Sequence, residues 1–267
     1  MNHELNGDFR LSLLHRLIYI FRNFYLNFFF FSFDASLQRY RVQPYVLSDS
    51  QSSPSRLLTE VFLRHELPIY LPIDNLHVLD IGCGSGFISQ LLSDAGYYGT
   101  YLGVDISDKF SDQNSSNFDC EFINSDIHLL ERKTNFYNLI ISVSALEHIA
   151  EDYLLINSLS SSLAREGIQI HFVPSSWGLF TYLWHGWRQY STYRISQTFP
   201  PQSTFIALGG FLTFILHIMF ITVPEIIFRL NLRNRFPYTY SKLLRLCCMY
   251  DKYFPFCSTM IVVISKR

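Results

Sequence analysis

Residues 79–87 read Leu-Asp-Ile-Gly-Cys-Gly-Ser-Gly-Phe, and no other stretch limits the fold of this chain so tightly. Three glycines alternate directly after an apolar run, Leu76–Ile81, and before a helical pattern near Phe87–Ala95. A turn that brings bare backbone against a bulky ligand needs glycine, because a Cβ would collide there. The helix start that follows presents free N–H groups. A nucleotide-type loop between a strand and a helix is therefore expected. The dinucleotide fingerprint GxGxxG requires Gly or Ala at position 87, where this chain has Phe87.

Around that loop, short apolar runs alternate with helical stretches. Strands are expected at Leu76–Ile81, Tyr101–Val104, Glu121–Ile123, Leu139–Val143 and Ile168–Val173, with a last one in Ser258–Lys266. Helices are expected near Phe87–Ala95, Asp108–Asn117 and Leu146–Leu163, and from Leu57 to Leu67, stopped by Pro68 and Pro72. Strands alternating with helices imply right-handed βαβ units on a parallel sheet.

The glycine loop has the form GxGxG with Asp80 two residues before Gly82. Here the chain resembles motif I of class I S-adenosylmethionine-dependent methyltransferases, usually (D/E)xGxGxG. The remaining elements of that superfamily follow in order. Residues 102–107 (LGVDIS) resemble its second strand, whose terminal acid, here Asp105, takes the ribose hydroxyls. A carboxylate suits a vicinal diol because it accepts both hydrogen bonds. Asn124-Ser125-Asp126-Ile127 resembles the acidic and apolar pair that meets adenine. Tyr137 to Ile149 resembles the fourth strand and the loop along the cofactor, and Gly167 to Pro174 the fifth strand.

The resemblance implies an α/β fold: a Rossmann-like, doubly wound, mostly parallel sheet with helices on both faces. It implies S-adenosyl-L-methionine as cofactor. Contacts would come from Asp80, Ile81, Gly82, Cys83, Gly84 and Gly86 in the first turn and from Asp105 and Ile106 after the second strand. Asp126, Ile127, Val143 and Ser144 would complete them. The chemistry implied is in-line transfer of a methyl group from a sulfonium to a nucleophile, with the protein supplying position and electrostatics. A hydroxyl nucleophile is helped by a general base, and His148 and Glu147 are the candidates. The Leu-Glu-His-Ile run equally reads as the start of the next helix. Ubiquinone-pathway O-methyltransferases of this superfamily carry ExxEH here, with acids and His near a metal. This chain reads Ser144-Ala145-Leu146-Glu147-His148, without the first Glu, and no metal site is expected.

No (D/N)PPY follows the fourth strand, which removes the usual nucleobase amino-methylating reading. The formal net charge of −1, from 21 Lys and Arg against 22 Asp and Glu, gives no general attraction to nucleic acid. Five cysteines without CxxC spacing read as reduced thiols.

Charged residues make up only 16% of the chain while aromatics reach 17%, so part of the surface is expected to face lipid or a partner. Leu11 to Phe33 reads LSLLHRLIYIFRNFYLNFFFFSF. Its internal Arg16 and Arg22 make a poor hydrocarbon span, and an amphipathic helix at a bilayer surface fits better; a helix packed on the domain is the alternative. Phe205–Val223 is a run of 19 residues broken only by Thr213, His217 and Thr222. As a helix it would be about 28 Å long, near the roughly 30 Å hydrocarbon core. Because a strand follows it, a re-entrant or in-plane dip is favoured over a crossing, with a buried helix pair as alternative. Between these segments, Trp177, His185, Arg188 and Tyr190 sit in an aromatic, basic stretch suited to an acceptor pocket.

The expected organisation is a membrane-associating segment and linker over 1–55 and a cofactor-binding core over 56–174. An aromatic, hydrophobic insertion follows over 175–245, and 246–267 return to the core. The resulting expectation is a methyltransferase on the cytoplasmic face of a membrane, acting on an amphiphilic small molecule: a lipid-linked sugar or glycolipid, a quinone or another lipid. A non-catalytic cofactor-binding scaffold remains an alternative, as does a soluble cytoplasmic enzyme whose insertion is a lid or dimer interface. Oligomeric state is open.

Overall fold

β-Branched and aliphatic runs punctuated by short turns build eight strands, seen in a computed structural model that describes residues 12–32, 36–110, 117–183, 186 and 188–267. The strands are β1 (Gln38–Arg39), β2 (Asn75–Ile81), β3 (Tyr98–Asp105), β4 (Phe118–Asn124), β5 (Tyr137–Val143), β6 (Leu163–Pro174), β7 (Thr204–Leu208) and β8 (Met260–Lys266). They form one sheet in the order β1-β7-β8-β6-β5-β2-β3-β4. β8 runs antiparallel to β6 and β7, and every other pair is parallel. The central strands carry uninterrupted apolar runs because helices cover both sheet faces. Val78, Ile141 and Phe172 face one core with the helices Pro54–His65, Phe87–Asp94 and Pro237–Tyr250. Leu79, Ile140 and Val173 face the other with Asp152–Leu159 and Thr192–Thr198.

From β2 the chain winds outward to β3 and β4, then returns to place β5 on the other side of β2. The order reverses between β2 and β5, and in open α/β sheets that reversal leaves a crevice at the carboxyl ends of the strands. The glycine turn sits there.

Several segments depart from the sequence reading. Thr204–Leu208 is a sheet strand, so the first residues of the Phe205–Val223 run do not join a helix. Gly209 (φ +75°) and Gly210 end that strand. Two helical pieces follow: Phe211–His217 and a wider, π-type coil over Ile218–Ile227 with Pro224 inside. A single helix over 205–223 is therefore not formed, and among the described residues no helix is long and apolar enough to cross a membrane. The Leu146–Leu163 pattern resolves into a 3-10 turn, Leu146–His148, a helix, Asp152–Leu159, and the start of β6. Its serines account for the early stop. Ser158 Oγ donates to Leu155 O and Ser161 Oγ to Ser158 O, an alternative to continuing the helix. Asp108–Phe110 are not helical, and 111–116 lie outside the described residues. The helix before β2 starts at Pro54, where Ser53 caps it by accepting from Arg56 N.

Candidate active site

The turn after β2 is held in a left-handed backbone at Gly82, Gly84 and Gly86, with φ of +69°, +54° and +80°. At Gly82 the requirement is twofold, because a Cβ there would lie 2.4 Å from Ala145 Cβ. Gly82 N and Cys83 N both donate to Val104 O, which pins the turn to the end of β3. Gly84 N donates to Asp105 Oδ2 at 2.8 Å, while Ser107 N and Oγ donate to Oδ1 at 2.8 and 2.7 Å. Asp105 is thus fixed before any ligand arrives.

Two cavities meet at this turn. The larger, about 750 Å³, is lined by Gly82, Gly84, Asp105, Asp126, Ile127 and His148, with Arg22 contributed by the N-terminal helix. The smaller, about 380 Å³, is lined by Asp80, Cys83, Thr59, Tyr182 and Glu147. Gly82, Gly84 and Ser144 belong to both walls, so the two form one groove over the bare turn. Ser144 holds φ +51°, a conformation a non-glycine residue rarely adopts, at this junction.

The groove has two chemically distinct ends. At the larger end stand the Asp105 carboxylate and the Asp126–Ile127 pair, with Asp126 Oδ1 accepting from His128 N. At the smaller end, Asp80 and Thr59 are buried, and Asp80 Oδ1 and Thr59 Oγ1 are buried polar atoms without a hydrogen-bond partner. Buried polar atoms in native folds are nearly always satisfied, so this pair marks a place for a polar ligand group. Burial pushes the Asp80 carboxyl up to about 7, against the hydrogen bond from Tyr101, and the nearby Asp105 adds to the rise. Burial likewise pushes Glu147 up to about 8. The shift favours the protonated form of Glu147 at neutral pH.

The residues expected to bind cofactor fall largely on this groove. Asp80, Cys83 and Val143 line the smaller cavity, and Ile81, Asp105, Ile106, Asp126 and Ile127 the larger. Gly86 lines neither; it carries the left-handed turn into the helix Phe87–Asp94. Glu147 and His148, adjacent in sequence, face different cavities.

The expected acceptor residues are arranged differently. Tyr190 is fully buried, and its hydroxyl donates to Asp152 Oδ2 at 2.7 Å. Arg188 is turned to the same carboxylate, at 2.5 Å to Oδ1, and to Ala150 O. The two residues are thus joined on Asp152, and neither lines the groove. Trp177 packs edge-on between Phe31 and Phe214, at 5.0 and 5.5 Å between ring centroids. His185 lies outside the described residues. Sequence reasoning missed Ser55, Thr59 and Tyr182, which meet across the fold: Ser55 Oγ and Tyr182 Oη are 2.7 Å apart. The one local hint was Ser53-Pro54, which marks a helix start beside the turn.

Residues 78–167 match the methyltransferase domain family. A ubiquinone biosynthesis O-methyltransferase of Bartonella tribocorum is 27% identical over 131 residues, which are 44% of this chain and 51% of that protein. The chain thus spans about half the length of that curated relative. Among solved structures, a sarcosine dimethylglycine methyltransferase from Galdieria sulphuraria, itself a provisional assignment, superposes with a TM-score of 0.53 at 13% identity. The likeness covers 83% of this chain and 95% of that one. The plantazolicin methyltransferase, solved with S-adenosylhomocysteine, gives 0.53 at 15% identity, over 82% and 86% of the two chains. At such identities the structural likeness speaks to the fold alone. The bare turn, the carboxylate on the neighbouring strand and the unsatisfied atoms beyond fit S-adenosyl-L-methionine, the cofactor of these families. Residues 78–167, the stretch that builds the glycine turn and its neighbouring strands, are a methyltransferase domain.

Proposed function

We propose that this chain transfers a methyl group to a hydroxyl of a small amphiphilic acceptor, a quinone-type ring or a lipid-linked sugar, at a membrane surface. The observation that carries the reading is the groove bent over Gly82 and Gly84, with a preorganised carboxylate at one end and unsatisfied buried polar atoms at the other. When bound, S-adenosylmethionine supplies a methyl group activated on a sulfonium. Asp105 would hold the ribose hydroxyls, Asp126 and Ile127 the base, and Asp80 and Thr59 the amino-acid end. Ser144 stands where the two cavities join.

His148 is the stronger candidate for the base. It lines the larger cavity, whereas burial raises the Glu147 carboxyl and favours its protonated form, which makes it the weaker base. The ubiquinone biosynthesis O-methyltransferases support a quinone-type hydroxyl as the acceptor group.

Titration calorimetry with S-adenosylmethionine tests the cofactor reading. Incubation with labelled cofactor and a total lipid and quinone extract, followed by mass spectrometry, tests the acceptor class. Saturable binding heat and label in an isoprenoid or lipid-linked product are expected. Absence of binding heat overturns the enzyme reading, and label confined to water-soluble acceptors overturns the amphiphile.

A further inference from the structure

The helix Leu13–Phe28 is turned the wrong way for a helix in water. Leu14, Leu17, Ile18, Phe21, Tyr25 and Phe28 recur at helical spacing and form one stripe. That stripe points outward, with Phe21 73% and Tyr25 74% exposed. Among the helix's described side chains the two fully buried ones are polar: Asn23 is 0% and Asn27 4% exposed. Their bonds fix this orientation. Asn23 Nδ2 donates to Leu183 O at 2.6 Å, and Asn27 Oδ1 accepts from Gln189 N at 2.7 Å and Arg194 Nη1 at 2.9 Å. Arg194 Nη2 also donates to Leu26 O. The apolar stripe is therefore held in solvent by a buried polar latch.

We propose that this stripe docks on an anionic lipid bilayer and brings the groove to the leaflet. Residues 13–28 contain no acidic residue, and the exposed Arg22 stands one position from Phe21 at the edge of the stripe, which complements anionic headgroups. A second copy of the chain is a poorer occupant, since pairing this face with itself brings together two net-positive helices with no acidic residue on either to offset the charge. A second exposed apolar set, Met219, Ile227 and Phe228, lies on the Ile218–Ile227 coil and its cap. That coil is bonded through Thr222 Oγ1 to Thr181 O, and the same short helix, Gly178–Thr181, meets the N-terminal helix through Phe180 and Phe24. Arg22 lines the larger cavity, so docking sets one wall of that cavity at the lipid surface. Delivery of an acceptor by this route rests on the function proposed above; the docking itself does not.

Co-sedimentation with vesicles of phosphatidylcholine containing one lipid in four phosphatidylglycerol tests the inference. The full chain is expected to pellet with them, and to bind pure phosphatidylcholine roughly tenfold less well. Phe21→Asp combined with Tyr25→Asp is expected to weaken vesicle binding by about tenfold or more. The same variant should keep its S-adenosylmethionine binding heat, which shows that it is folded. Leu14→Asp with Phe28→Asp, made separately, should repeat the loss. The inference falls if the parent stays in the supernatant, if it binds neutral and anionic vesicles alike, or if the variants pellet as the parent does. It also falls if sedimentation velocity shows a dimer that the same substitutions break while vesicle binding persists. A chain that binds vesicles without binding cofactor would leave this inference standing and overturn the enzymatic reading.

Discussion

Gly84 and Asp105 are bonded to each other at 2.8 Å, backbone N–H to carboxylate, across the ends of two neighbouring strands. The bare turn and the acid proposed to face the ligand therefore hold one another in place. On that proposal, replacing Asp105 by Ala would remove a ligand contact and the tether of the turn together. Hydrogen bonds to a charged group are worth about 1.5–3 kcal/mol each, so cofactor binding should weaken by roughly 2–4 kcal/mol. Calorimetry with S-adenosylhomocysteine reads this directly, and unchanged affinity would refute the assignment of Asp105.

Gly82 and Gly84 should fail in different ways. At Gly82 a methyl group meets Ala145 Cβ at 2.4 Å in a left-handed backbone, so Gly82→Ala should lower the unfolding free energy by about 2–4 kcal/mol. At Gly84 nothing lies within 4 Å of the added Cβ. Gly84→Ala should cost only about 1–2 kcal/mol of backbone strain, yet narrow the groove and weaken the cofactor. Urea unfolding and calorimetry on the pair separate the effects. Equal loss of stability in both variants would contradict the geometry.

The buried acids and histidines set an unusual dependence on pH. Burial holds Glu147 at about 8 against an ordinary 4.5, so from 4.5 to 8 the folded chain binds that proton more tightly than the unfolded one. Stability falls as pH rises through this window, and Asp80 acts the same way up to about 7. His171 and His217 are pushed by burial to about 3 from an ordinary 6.5, so their contribution is complete above 6.5 and is lost as pH falls. Opposing slopes offset below about 6.5, and above it only the acids act. The ligand-free protein should lose about 2 kcal/mol between pH 6.5 and 8, at about 1.4 kcal/mol per unit for one group. Glu147→Gln should remove most of that loss; an equally steep decline in the variant would count against a protonated Glu147.

The polar latch of the N-terminal helix is open to a separate test. Asn27→Ala removes the acceptor of Gln189 N and leaves Arg194 Nη1 only its longer contact to Gln189 O. Unsatisfied buried donors cost about 1–3 kcal/mol, enough to loosen the helix without unfolding the sheet. Hydrogen exchange over residues 13–28 and 183–194 should quicken together while β2 and β5 stay protected. Independent behaviour of the two segments would show that the latch does not couple them.

What the sequence disclosed depended on how local the cause was. The glycine turn and Asp105 were legible because each acts through its own backbone conformation or its place at a strand end. β7 was not. Its residues, Thr204–Leu208, open an apolar run, and a buried strand and a buried helix share the same unbroken apolarity. Gly209 and Gly210 were the punctuation in that run. The stripe on Leu13–Phe28 could be read from its spacing, but which face turns inward depends on Leu183, Gln189 and Arg194, far along the chain. Thr59 and Tyr182 were hidden for the same reason, since nothing in an amphipathic helix or an aromatic stretch says that they share a cavity wall.

β8 joins β6 on one side and β7 on the other, and among the described residues β7 and β1 reach the sheet only through it. During synthesis the half bearing the glycine turn can assemble from successive βαβ neighbours, while the remaining half waits for residues 260–266 to emerge. A chain cut just before Met260 would thus lose three strands rather than one, stranding Phe211–His217 and its partner helix without a floor. Of the strands described, the keystone is the last in chain order.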